Sequence, residues 1–257
     1  NNLQRNEFQS GSRLLLTKKT NYFFVIDSIT AHRTTGMNTK HTMEYDDNGN
    51  KITELWQEFY NNEYTNFYRN SFSYENGQLI NTLEERWDHG QWVKISLTTY
   101  HYTSFNNPDT ILFSIWENEE WINNARQIYT YQADSIIATY SIETWRNSSW
   151  SLYRKDYYQY QDNLLINHIS HLWDNELLFS IQYTYQYGQE NQITYRIRKT
   201  AIDSVWENSE QIFYQYDSSG LCVSDSMEQW NEDHWKKRIY NLYAYDEYGK
   251  KISETRQ

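Results

Sequence analysis

Three kinds of residue in this 257-residue chain have the chemistry to hold or act on a ligand: paired indoles, closely spaced histidines and a surplus of carboxylates. The indoles bracket four polar residues each: Trp87 and Trp92 in WDHGQW, Trp116 and Trp121 in WENEEW, Trp145 and Trp150 in WRNSSW, Trp230 and Trp235 in WNEDHW. Exposed aromatic rings at regular steps stack on sugars or grip an extended polymer, so these eight residues form the candidate ligand-binding set. Their spacing also has a purely structural cause. Residues i and i+5 around a tight hairpin face each other across the ladder, and an aromatic pair there contributes about 0.5–1.5 kcal/mol beyond its buried area. Because pairing alone accounts for the spacing, the clamp is the simpler reading.

The other candidates have simple structural explanations. His168 and His171, in HISH, are three apart, so a strand turns them to opposite faces and they make no metal pair. Asp46 to Asn50, DDNGN, resembles the start of a calcium loop but lacks its ligand spacing and terminal Glu, whereas Asp-Asn-Gly is ordinary hairpin-turn chemistry. Glu84, Glu85, Glu117, Glu119 and Glu120 recur with no fixed partner in an apolar setting, as solvated carboxylates do. Asn147 heads a glycosylation sequon inside a bracket. Cys222 is the single cysteine, which excludes an internal disulfide framework. With no Ser-His-Asp set, phosphate loop or dinucleotide fingerprint, the chain is expected to be non-catalytic, without cofactor or metal.

Charge narrows the partners. A net charge of −11 with scattered Lys and Arg offers no basic face for phosphates, so nucleic acid and anionic membrane surfaces are disfavoured. No apolar run approaches the roughly 20 residues of a spanning helix, and neither strand face is uniformly apolar, so membrane insertion is not expected. The N-terminal NNLQRNEF is not a signal peptide. An extracellular or cell-surface location therefore implies a leader already removed. Aromatics make up 18% of the residues, with 25 Tyr and 11 Trp, and must do much of the burying in strands.

These residues sit in a repeat. The Tyr closing each aromatic-x-Tyr pair falls at 45, 74, 102, 131, 160, 187, 216 and 245, with steps of 27 to 29 residues. Ten residues before most of these lies the second bracket position (Tyr64, Trp92, Trp121, Trp150, Trp206, Trp235). Five earlier lies the first: Phe59, Trp87, Trp116, Trp145, Ala201 and Trp230, with Trp173 followed by Leu178 in the shortened unit. Gly, Asn and Asp turns follow several anchors, as in YDDNGNK and YDEYGKK. Each unit reads as strand, four-residue polar loop, strand and turn. Even spacing places Tyr100 and Tyr102 on the same face as Trp92. Counting back from Tyr45 gives a worn copy at Leu16, with Thr30 and Thr35 in the bracket positions.

Tyr-x-Tyr-Asp followed by a Gly turn, as in YAYDEYGKK and FYQYDSSGL, resembles the YD repeats of bacterial RHS and insecticidal-toxin proteins. The longer Trp-paired unit is similar to tyrosine- and tryptophan-rich secreted or surface repeats of Bacteroidota. The resemblance implies a β-hairpin ribbon able to wind into a shell, and export. In place of the Arg that usually follows the turn Gly stand Asn50, Gln78, Leu221 and Lys250.

The expectation is all-β: an antiparallel β-hairpin array of about 29 residues per two-stranded unit in one long twisted sheet, with a closed barrel or shell as the alternative. It forms a single repeat domain, degenerate over 1–44, regular over 45–244, with a terminal half-unit at 245–257. The function read from this is a surface structural, adhesion or partner-binding scaffold meeting protein or glycan, able to self-associate through its edge strands. The alternatives are carbohydrate binding through the aromatic rows and a fragment of a toxin-associated shell.

Overall fold

A computed structural model of the chain describes residues 28–31, 39–133, 135–174, 176–202 and 205–257. By compactness the chain divides into residues 1–126 and 127–257. Within the first lie β1 (Ser28–Ala31), β2 (Thr39–Tyr45), β3 (Lys51–Tyr60), β4 (Glu63–Glu75), β5 (Gln78–Asp88), β6 (Gln91–Tyr102) and β7 (Pro108–Glu117). β8 (Glu120–Ala133) contributes to both units. The second unit holds β9 (Ile136–Arg146), β10 (Ser149–Gln161), β11 (Leu164–Asp174), β12 (Glu176–Tyr187), β13 (Ile193–Ile202), β14 (Val205–Tyr216), β15 (Cys222–Asn231), β16 (His234–Tyr245) and β17 (Lys251–Arg256). Among the described residues every element is a strand, and the fold is the antiparallel hairpin array expected from the repeat. Strands pair with their neighbours in sequence, β1 through β7 in the first unit and β9 through β17 in the second.

The bracket loops are tighter than four residues. Trp87 lies opposite Trp92 and Asp88 opposite Gln91, leaving His89 and Gly90 as the turn, with φ of 45° and 85°. Asn61–Asn62, Asn118–Glu119, Asn147–Ser148 and Glu232–Asp233 repeat this positive-φ pair. Two left-handed residues give a type I′ turn, whose twist matches that of the strands it joins. The outer two residues of each expected loop are the last rung of the ladder.

Two turn types occur at the anchor end. Asn76 and Gly77 (φ 50° and 80°) form a two-residue turn between Glu75 and Gln78. Asp162 and Asn163 do the same between Gln161 and Leu164. At 46–50, 103–107, 188–192, 217–221 and 246–250 the turn is five residues long. The Asp46 N–H donates to the Asn50 carbonyl at 2.9 Å, and the Asp46 Oδ1 accepts the N–H groups of Asn48 and Asn50 at 2.9 and 2.8 Å. Asp217 and Asp246 make the same wrap, and Thr103 makes it with a hydroxyl.

Bulges recur at two places in the repeats. Ile80 is skipped between the Asn81–Ser73 and Leu79–Tyr74 rungs, and Ile52, Asp109, Ile166, Thr194, Val223 and Ile252 are skipped equivalently. On the second strand Phe67, Ile95, Tyr153, Ser209 and Arg238 are skipped, three residues after the second bracket position. A bulge shifts the side-chain alternation by one residue. From Trp92 the pairing runs through Glu85 to Leu83, Leu97 and Thr99, so Tyr100 and Tyr102 lie on the opposite face from the Trp rung. The expectation of a shared face is thereby corrected.

Two further register expectations are corrected. In the shortened repeat Trp173 pairs with Leu177, and Leu178 is the skipped residue. Thr30 lies opposite Lys40, which rules out Thr30 and Thr35 as a bracket, while Leu16 and Thr35 lie outside the described residues.

Burial follows from single-sheet geometry. Among the described residues Ala201 is the buried apolar side chain, and Ser114, Ser141, Ser170, Ser180 and Ser224 are buried as well. Small side chains lie beneath larger neighbours that stay half-exposed at their rims.

Candidate functional site

Each Trp bracket is a cross-strand pair in contact. Ring centroids lie 5.0 Å apart for Trp87–Trp92, 4.9 Å for Trp116–Trp121, and 5.0 Å for both Trp145–Trp150 and Trp230–Trp235. Interplanar angles between 66° and 71° make all four edge-to-face, the geometry the ring quadrupole favours. All eight rings are half-buried. Cations cover part of what remains in the first unit: Lys94 Nζ stands 4.1 Å from the Trp116 ring, and the Arg69 guanidinium 4.5 Å from that of Trp92. Arg69 is itself held by the buried Glu85, with Nε and Nη2 donating to Oε2 at 2.8 and 2.5 Å. Where the pair is incomplete the indole is more open, as at Trp206 opposite Ala201.

Beside Trp92 the same face forms a polar depression lined in part by Thr42, Thr53, Asn66, Arg69 and Ser71. Hydroxyls, an amide and a guanidinium next to an indole suit a polyhydroxylated ligand. This is the place where the candidate aromatic row meets convergent polar groups.

The opposite face carries the anchor tyrosines, and their hydroxyls have a specific task. Tyr74 donates to the Lys51 carbonyl at 3.1 Å and Tyr102 to that of Leu79 at 2.8 Å. Tyr187, Tyr216 and Tyr245 donate to the carbonyls of Leu165, Ile193 and Cys222, each at 2.8 Å. In every case the acceptor is the rung residue just before a skipped one, where the bulge interrupts regular ladder pairing. Five repeats are thereby stapled to the strand before them.

In the second unit this face also holds a charged cluster that sequence reasoning missed. Asp156 is fully buried and accepts from Arg154 (Nε to Oδ2 at 2.7 Å, Nη2 to Oδ1 at 3.0 Å) while His168 Nε2 lies 2.7 Å from Oδ1. Burial opposes its ionisation, but hydrogen bonds from His168, Arg154 and Ser170 outweigh that and hold the carboxyl below its usual range. Tyr158 stacks on His168 at 4.7 Å, and its hydroxyl is pushed up to about 12 by burial and then by the Asp156 charge. Arg154 and Asp156 are two apart in sequence, the one signal of a shared face that was available.

The remaining candidates do not converge on one place. His168 and His171 point to opposite faces, His171 Nδ1 lying 2.6 Å from Ser180 Oγ. Among the described residues no group of three His, Cys, Asp or Glu is placed to hold a metal ion. The Asp46 carboxylate is occupied by its own turn, with the Asn50 side chain as the leading cause of its lowered pKa. Burial raises the half-exposed Cys222 thiol.

No protein-family model matches the sequence, and no curated protein matches it. Solved structures with limited similarity include a protein of unknown function from Bacteroides fragilis, 16% identical over 53% of this chain and 92% of that one, TM-score 0.29. A porin-like protein from Bacteroides uniformis is 10% identical over 90% and 95%, TM-score 0.36. The Photorhabdus luminescens Tc holotoxin pore with a TccC3 substitution is 11% identical over 90% of this chain and 15% of that chain, TM-score 0.35. Identities and scores this low establish no common fold, and the chain spans under a fifth of the toxin component it aligns with.

Proposed function

We propose that the chain is a non-catalytic, exported repeat scaffold that acts through its surface as a structural, adhesion or partner-binding module. The observation that carries this reading is the employment of the recurring residues: indoles pair with indoles across hairpin tips, and tyrosine hydroxyls bond backbone carbonyls of the preceding repeat. Residues retained for a reaction would converge on one place, whereas these are distributed one set per repeat. Trp116→Ala and Trp121→Ala test it. The scaffold reading expects each to lower the unfolding free energy by about 1–3 kcal/mol, since a half-buried indole, its partner and the Lys94 contact are lost together. An unchanged melting transition would refute it.

A second reading, carbohydrate binding, is favoured by the hydroxyl-lined depression beside Trp92. Thr53→Val, which preserves shape and removes the hydroxyl, and Trp92→Ala should then abolish glycan retention. Glycan-array binding unaltered by both would exclude this site. The partner is accordingly protein or glycan at a surface, and a toxin-associated shell is a further form the same scaffold would take.

A further inference from the structure

Strand β17 is built like β3, an internal strand with a neighbour on each side. It opens Lys251-Ile252-Ser253-Glu254, and β3 opens Lys51-Ile52-Thr53-Glu54. The two share more than sequence. Ile52 and Ile252 are both skipped by the preceding strand, and Lys51 and Lys251 each bridge the Glu three residues on, at 3.0 and 2.7 Å. Both lysines also stand over an aromatic ring, Phe72 at 4.6 Å and Tyr243 at 5.2 Å.

β3 uses its outer edge to receive β4. Thr53 lies opposite Ser71 and Glu54 opposite Asn70, and the Tyr74 hydroxyl closes the interface on the Lys51 carbonyl. β17 presents the same edge, and all six of its residues are exposed, unlike those of the other strands whose burial is described. Gln257 exchanges both backbone hydrogen bonds with Tyr240. Antiparallel alternation then turns the N–H and C=O of Arg256 and Glu254 away from β16. A row of outward polar backbone is a template for another strand.

We propose that the outer edge of β17 is a docking site for an antiparallel strand of this repeat's own second-strand chemistry, an alternating segment closing in aromatic-x-Tyr. The occupant follows from continuity with the internal interfaces, five of which carry the same hydroxyl-to-carbonyl staple. The register is fixed by β3 and β4: the partner places its equivalent of Ser71 opposite Ser253, its equivalent of Asn70 opposite Glu254, and its closing tyrosine hydroxyl on the Lys251 carbonyl. The inference rests on the scaffold reading and names the chemistry of its partner.

The probe is a fluorescent peptide of residues 63–75, titrated by anisotropy against residues 1–257. Saturable binding is expected, and Glu254→Pro in the chain should weaken it at least tenfold by removing an outward N–H while sparing the ladder to β16. Tyr74→Phe in the peptide should weaken binding about three- to tenfold, the worth of one hydrogen bond. Circular dichroism of the Glu254→Pro chain, expected to match the parent, separates a lost edge from a lost fold. Sedimentation of the chain alone adds a source: self-association removed by Glu254→Pro supports the site with a second copy as donor. Absence of saturable binding, or equal binding by the Glu254→Pro chain, overturns the proposal. The tryptophan variants leave β17 untouched, so failure of the scaffold reading registers in their melting curves instead.

Discussion

Removing the three tyrosine staples of the second unit, Tyr187, Tyr216 and Tyr245, by substitution with Phe keeps every ring and deletes only the hydroxyls. Each hydroxyl lies 2.8 Å from a carbonyl beside a bulge. A hydrogen bond of this kind is worth about 0.5–1.5 kcal/mol net, and an orphaned partner costs toward the upper end. One substitution should therefore cost about 1 kcal/mol and lower the melting temperature by about 2–4 °C. The three hydroxyls are separated by two strands each, roughly 10 Å at the usual strand spacing, beyond the range at which substitutions couple. Stability in a repeat array is close to a sum of nearest-neighbour interfaces. The triple variant should then lose about 3 kcal/mol, read from equilibrium urea unfolding. Tyr248→Phe is the control, because that ring is 86% exposed and should cost nothing measurable. A triple variant no weaker than a single one, or single variants equal to the control, would refute the staple argument.

Titration gives the same interfaces a pH signature. Burial raises the hydroxyl pKa of Tyr187 and Tyr216, and of Tyr158 to about 12. A raised folded-state value means that stability is full below the unfolded value near 10 and is lost as pH rises toward the folded one. Alkaline unfolding monitored by circular dichroism should begin above about pH 10 and be shallower in the triple Phe variant. Asp156→Ala should destabilise by about 2–4 kcal/mol, because it leaves Arg154 and His168 without their shared buried counter-charge, and Asp156→Asn should cost less. The same carboxyl has a lowered folded-state pKa, so its contribution is present above the unfolded value near 3.8 and lost as acid protonates it. Acid titration of the Asp156→Asn variant should lack that component. Gly77→Ala, at φ 80°, should cost about 1 kcal/mol through backbone strain alone, since nothing lies within 4 Å of the added methyl.

The period, the strand pairs and the indole contacts were legible in the sequence because each is a matter of spacing and residue type. Trp87 opposite Trp92 follows from five residues and a turn. The faces were not legible. The second-strand bulges fall on Phe67, Ile95, Tyr153, Ser209 and Arg238, which share no chemistry, yet each reverses the alternation after it. Counting by twos from Trp92 therefore put Tyr102 on the wrong side. The first-strand bulges carry a faint signal, being mostly β-branched: Ile52, Ile80, Ile166, Thr194, Val223 and Ile252. The Asp156 cluster is not legible in the sequence because its three members come from two strands, and only the bulge after Leu152 brings Arg154 and Asp156 alongside Ile142 and Tyr140.

The two-residue and five-residue tips differ in length while the rungs between them keep their order. Length change is thus absorbed where the chain reverses, without disturbing inter-strand contacts. The pairing of Trp173 with Leu177 shows that a hairpin can shed a residue there and resume its ladder. For protein engineering, foreign peptide loops spliced into these tips should be tolerated, whereas even one residue inserted within a strand would invert the faces of the remainder of that strand.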